Sequence, residues 1–202
     1  MANTSRINGF RPVKHLNGSS YNGQANLYYV SSAGDEILVG DPVKLAGSAD
    51  TYGNPSVDLS GTTDVACGVV VGIMQSKFDP RGNMTTGPVS LDLPGAAQIA
   101  ASGTGYVMVA DSADIVFEVE TSNGDVAAAN IGLNVTPALG SRSATTVTSP
   151  ATVDMGTEST TSTLMFKLLG LSQKVNNSIA TSAKVLVMFN AHQFGSVGTT
   201  GL

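Results

Sequence analysis

The stretch Tyr106-Val107-Met108-Val109-Ala110-Asp111-Ser112-Ala113-Asp114-Ile115-Val116-Phe117-Glu118-Val119-Glu120 decides the fold. It holds two short runs of β-branched, aromatic and aliphatic residues with an Asp-bounded break between them, the pattern of strands rather than of an amphipathic helix. Within Ile115–Glu120 the alternation puts Ile115, Phe117 and Val119 on one face and Val116, Glu118 and Glu120 on the other, which reads as a half-exposed strand. Runs of the same kind recur at Leu27–Val30, Ile37–Leu45 (broken by Gly40-Asp41-Pro42), Ala66–Met74, Val89–Leu93, Leu164–Leu171 and Val185–Asn190. Two of them, Cys67–Met74 and Val185–Phe189, are almost continuously apolar and call for cover on both faces, by the core inside and by a neighbour outside. Helix has one candidate, a single turn at Gly124–Asn130 with Asp125 as its cap, and the Ser/Thr-rich Gly140–Thr163 reads as a long loop or exposed ribbon. No repeat of fixed period is present. The fold class is all-β, a sandwich or barrel.

The charge is unevenly spread. The first acidic residue is Asp35, so Arg6, Arg11 and Lys14 precede any carboxylate, while residues 35–202 hold seven cations against all 15 Asp and Glu. With its Asn and Gly content, the start of the chain reads as an extended basic arm, residues 1–34, that orders against an anionic partner. Behind it come a β-rich body, residues 35–194, and a loose tail, residues 195–202. Charged residues make up only 12% of the chain, about half the usual share, and Ser, Thr, Asn and Gly fill the polar positions instead. A surface so weakly charged suits a protein whose exterior is covered by other subunits.

The same composition argues against chemistry. Cys67 stands alone, so a disulfide framework and a cysteine zinc site are excluded, and burial as a small hydrophobe is its expected role. His15 and His192 lie in no nucleophile-elbow pattern, and neither a phosphate-cradling loop nor a dinucleotide fingerprint occurs. Asp111, Asp114, Glu118 and Glu120 form the densest carboxylate group; it fits no EF-hand loop and reads as a solvated strand-end cluster, with lattice-bound Ca²⁺ or Mg²⁺ as the alternative. Paired-carboxylate sugar hydrolysis is disfavoured by the absence of Trp and an aromatic content of 5%. The expectation is therefore no enzyme, no cofactor and no metal. Nor is there an apolar leader or a run long enough to span a membrane, which leads to the expectation of a protein made in soluble form with no membrane partner. The arm mixes Arg6, Phe10, Arg11, Lys14 and Tyr21, but three charges are few for a nucleic-acid binder, and docking of Arg and Tyr on a protein is the better reading.

The opening Met1-Ala2-Asn3-Thr4-Ser5-Arg6-Ile7-Asn8-Gly9-Phe10-Arg11-Pro12-Val13-Lys14-His15-Leu16-Asn17-Gly18, with Tyr21-Asn22-Gly23-Gln24-Ala25 and Gly40-Asp41-Pro42-Val43-Lys44, resembles head proteins of tailed bacteriophages, in particular the capsid cement or decoration proteins of HK97-type shells. Tyr106–Asp111, Val116–Val119, Leu168–Leu171 and Val185–Gln193 are similar to later segments of the same group. The resemblance implies a β-rich subunit, jelly-roll-like or β-tulip-like. It would be often trimeric, without enzymatic activity, made in the host cytoplasm and bound to the outer surface of the virion head, where it stabilises the lattice of the major capsid protein. On this reading Arg6, Phe10, Arg11, Lys14 and Tyr21 form the capsid-binding arm, and Val187, Phe189 and His192 make oligomer or lattice contacts. A head-fibre, tail or receptor- or glycan-binding subunit using Gly140–Thr163 is the alternative within structural proteins, and a phage-encoded hydrolase the alternative outside them.

Overall fold

The computed structural model describes residues 3–31, 34–74, 98–99, 104–143 and 146–195. Its strands, in chain order, are β1 (Arg11–His15), β2 (Asn26–Val30), β3 (Ile37–Leu38), β4 (Pro42–Ala49), β5 (Pro55–Leu59), β6 (Gly68–Met74), β7 (Gln98–Ile99), β8 (Gly105–Ala110), β9 (Ile115–Ser122), β10 (Asn134–Ala138), β11 (Thr152–Ser159), β12 (Phe166–Leu171) and β13 (Lys184–Phe189). The protein is all-β, as its composition dictates, and it is built twice over. Strands β2-β5-β4-β6-β8 form a closed barrel, while β1-β9-β11-β10-β12-β13 form a second sheet in which β13 also pairs with β9. That last pairing brings the sheet back on itself, so five strands make a circuit and β1 joins the edge of β9 that β11 uses further along. The small ribbon β3–β7 lies alongside.

Asp111-Ser112-Ala113-Asp114, the break that separates the two runs quoted at the outset, is where the chain crosses from one barrel to the other. Asp111 accepts hydrogen bonds from the Tyr28 hydroxyl (2.6 Å) and the Asn26 amide (2.9 Å), and Asp114 from the Ser112 hydroxyl (2.5 Å), with His15 Nδ1 at 3.1 Å. The acids read as a solvated cluster are thus distributed among separate partners. Gly68 is needed at this crossing, since a Cβ there would lie 2.5 Å from Val109 Cγ1 and 2.6 Å from the Ala110 carbonyl oxygen.

Two cores result. The first is aliphatic, with Val30, Ile37, Val43, Val57, Val70, Ile99, Val107 and Val109 around Tyr28 and Cys67. The second centres on a run of rings in which Phe10 stacks on Phe166 (4.5 Å between centroids), Phe166 on Phe189 (4.9 Å), and Phe117 meets Phe189 edge-on (5.4 Å). Strand β6 belongs to both. Ala66, Val69 and Val71 pack into the aromatic core, Cys67 and Val70 into the aliphatic one, and a bulge between Val70 and Gly72 returns Ile73 to the aliphatic side. The second cover expected for Cys67–Met74 is supplied over its buried first part by the chain's own second barrel, while Val71–Met74 stay half-buried. In β13 only Val185, Val187 and Phe189 are buried, and Leu186 and Met188 are half-exposed.

Several expectations need correction. Residues 3–31, described within the expected arm 1–34, are not separate from the body: β1 pairs with β9, β2 is a wall of the first barrel, and Phe10 is 1% exposed. Strand β9 is not half-exposed; Glu118 and Glu120 are buried beneath the N-terminal segment and the turn around residues 172–182. The proposed loop Gly140–Thr163 contains β11, whose Val153 and Met155 enter the aromatic core while its Thr residues serve the ladder. The helical turn is a 3₁₀ turn at Ala128–Asn130, and Asn130 rather than Asp125 caps it by accepting the Ala127 amide. The expected strand Val89–Leu93 and the tail beyond Gly195 lie outside the described residues.

The two barrels are pinned together by a buried ion pair. Asp41, fully buried at the start of β4, receives Arg142 at 2.8 Å, the Ser149 hydroxyl at 2.5 Å and the Leu38 amide at 2.9 Å; Arg142 also caps the Glu36 and Leu139 carbonyls. Both oxygens of this carboxylate thereby accept hydrogen bonds, which offsets the cost of a charge buried there.

Candidate functional site

The outward face of β9 carries the chain's most concentrated charge. Antiparallel register sets Arg11 of β1 and Leu186 of β13 opposite Glu118, and Lys184 opposite Glu120, so these residues share one face. Glu118 accepts the Ser172 hydroxyl (2.5 Å) and the Lys174 ammonium (2.6 Å). Glu120, 2% exposed, accepts the Ser5 hydroxyl (2.5 Å), the Arg6 amide (2.7 Å) and Lys184 (3.0 Å), and Lys184 also donates to the Arg6 carbonyl. Burial by itself would raise both carboxyls. The hydroxyls, the amide and the ammonium groups outweigh it, and both sit below the ordinary glutamate range.

The N-terminal segment is laced onto this face by polar contacts alone. Asn3 donates to the Ser178 and Thr181 carbonyls, each at 2.9 Å, and accepts the Ser178 amide at 3.0 Å. Residues 4–8 are exposed, Ile7 included. The chain then dives inward at Gly9, whose φ of +63° and approach to Ser149 and Gly40 (2.6 and 2.7 Å from a Cβ placed there) admit no side chain. Phe10 drops into the aromatic core, and Arg6 and Arg11 are left outside.

Between this segment and the turn around residues 172–182 lies a cleft of about 320 Å³. Arg6, Arg11, Lys174 and Lys184 line it together with Glu118. Both lysines are matched by a glutamate; neither arginine side chain has an ion pair or hydrogen bond among the described residues, and both are exposed. An excess of positive charge with free guanidinium donors is an anion site in its chemistry, because the planar fork matches a carboxylate.

Of the residues singled out from the sequence, Arg6 and Arg11 come together at this cleft and Lys14 is exposed further along β1. Tyr21 is half-buried, donates to the Gln24 carbonyl and borders a neighbouring apolar groove with Pro12, Val39 and Val147. Phe10 is a core residue. Val187, Phe189 and His192, expected at a subunit contact, are 0%, 2% and 3% exposed and serve the second core and its rim, so they are corrected to internal packing. Lys174, Lys184, Asn3 and Ser5 went unread, although the two lysines are the last cations of a chain with few. Pairing Lys184 with Glu120 requires the β9–β13 register, and pairing Lys174 with Glu118 requires the turn that follows β12.

Cys67 and His192 are both packed inside the fold. Burial, with Asp111 adding to it, pushes the Cys67 thiol up to about 12, which removes its thiolate at neutral pH. His192 accepts the Phe194 amide on Nδ1, and burial lowers its pKa, so it is a neutral packing residue. Among the described residues no group of three or more His, Cys, Asp or Glu side chains is placed to hold a metal, and no helix is long and apolar enough to cross a membrane. No family model, curated protein or solved structure matches the chain.

Proposed function

We propose that this protein is a virion structural protein, a cement subunit that binds the outer surface of a phage head and stabilises the lattice of the major capsid protein without enzymatic activity. The observation that carries the reading is the pair Arg6 and Arg11, exposed and without an ion pair among the described residues, side by side on an acidic protein whose cleft lysines are each matched by a glutamate. A weakly charged exterior of Ser, Thr, Asn and Gly supports it, as does a rigid double barrel, since a clamp must transmit load between the subunits it straddles. Many weak contacts repeated over a lattice add up to strong retention.

The test is made on heads. Particles depleted of this protein are expected to keep their geometry but to release DNA at lower temperature or after milder osmotic shock than complete ones, because a ligand of the intact lattice stabilises it by mass action. Equal genome retention by the two would overturn the cement role.

A further inference from the structure

We infer that the cleft between the N-terminal segment and the turn around residues 172–182 receives an acidic peptide segment, whose carboxylates are taken by Arg6 and Arg11. The observations are independent of one another. Four cations line or border the site against the two carboxylates Glu118 and Glu120, and those two are already committed to Lys184, Lys174, Ser5 and Ser172. The two remaining cations are both arginines, the side chain suited to two-pronged carboxylate binding. They are held without being used: the Gly9 turn and the Phe10–Phe166 stack fix the backbone between them, and β1 fixes Arg11 opposite Glu118. Part of the cost of ordering the site is met before any ligand arrives.

A carboxylate segment fits better than a nucleic acid. Among the described residues the cleft has no aromatic lining on which a base would stack, Glu118 sits within it, and the chain carries a net charge of −5, which repels a long polyanion but tolerates a short acidic stretch. At about 320 Å³ it is of a size for a few side chains. The inference rests on the cement reading only for the source of the segment, an exposed acidic loop of the coat subunit; the cleft chemistry stands without it.

The probe is a fluorescent peptide of alternating Asp and Gly, titrated with the full chain and followed by anisotropy, beside an alternating Lys and Gly peptide and a single-stranded oligothymidylate of equal length. Binding of the acidic peptide is expected, weakening as salt rises through about 0.15 M. The double variant Arg6→Gln, Arg11→Gln should lower its affinity by roughly tenfold or more, the loss of charge-assisted hydrogen bonds. Both side chains are exposed and unpaired, so its thermal unfolding should match the parent's; should it not, Arg11→Gln alone is expected to lose several-fold in affinity. No binding of the acidic peptide, unchanged affinity in the variants, or tighter binding of the oligothymidylate would overturn the inference, the last making the cleft a phosphate site. Head binding that survives in the double variant while peptide binding is lost overturns the coat-loop assignment but leaves the cement reading standing. Peptide binding by the parent with no effect of depletion on heads overturns the cement reading alone.

Discussion

The two barrels solve closure differently. The first is a ring of five strands around Val, Ile and Leu side chains, with Tyr28 and Tyr106 sending their hydroxyls outward to Asp111 and Asp50. The second closes through a short β9–β11 contact of two residue pairs, and to its outer wall are fastened a strap, a turn and two glutamate–lysine pairs. The first barrel is held chiefly by aliphatic burial, with Asp50 and the Lys44–Asp64 pair at its surface; the second sets its glutamate–lysine pairs beneath the strap, where acid and salt weaken them. The binding cleft lies on the second kind of wall, where surface charge is already concentrated.

The largest blow to that contrast is Phe166→Ala, which removes the ring shared by the Phe10 and Phe189 stacks and should cost about 3–5 kcal/mol in urea unfolding. Val70→Ala in the aliphatic core should cost clearly less, and equal losses would erase the difference between the cores. Next comes Arg142→Ala. It strands the buried Asp41 carboxylate and should cost about 3 kcal/mol, with a broadened or two-step transition if the pair is what makes the barrels unfold together. A single sharp transition at unchanged midpoint would show that β6 suffices for the coupling.

A smaller effect separates the walls by pH. Glu118 and Glu120 have depressed pKa values in the folded protein, so the unfolded chain takes up protons first as the pH falls through the ordinary glutamate value of about 4.3, and the stability they contribute, full above it, is lost towards their folded values. His192, lowered by burial, acts in the same sense at higher pH, its share beginning to fade below about 6.5. Melting temperature should therefore drop between pH 7 and 4, and Glu120→Gln should lower the unfolding free energy by about 1–2 kcal/mol at pH 7 while flattening its pH slope. A variant with the parent's slope would assign the acid sensitivity elsewhere. The smallest change is deletion of residues 2–8, whose described part is held by exposed contacts to Ser178 and Thr181 and by part-buried ones to Glu120, which the deletion opens to water; a loss of about 1 kcal/mol is expected, with the Phe10 anchor intact.

How far the sequence could be read follows from the same contrast. Strand character was legible wherever Val, Ile and aromatics ran together, as in β6, β8, β9, β12 and β13. It was hidden in β11, where Thr152, Thr157, Glu158 and Ser159 resemble a loop until Val153 and Met155 find the core, and in β1, where Arg11 and Lys14 mask the ladder. The continuous run Cys67–Met74 announced cover on both faces but not its source, since one chain's second barrel and another subunit ask the same of a strand. At the cleft, Arg6 and Arg11 stood out by their distance from any acid, whereas Phe10, adjacent to them in sequence, belongs to the interior because Gly9 turns the chain between the two. Glu118 and Glu120 read from the sequence as solvated acids, because alternation shows which face a residue is on but not what lies over that face.

Strand β6 has one further consequence, for ancestry. Because Val69 and Val70 serve different cores, the second barrel's interior is written partly in the first one's wall. A single inserted residue there would exchange the contents of both cores at once. Although the two rings look like units that could be shuffled separately, neither can be excised, duplicated or grafted as a module, and recombination would have to carry them as one heritable piece.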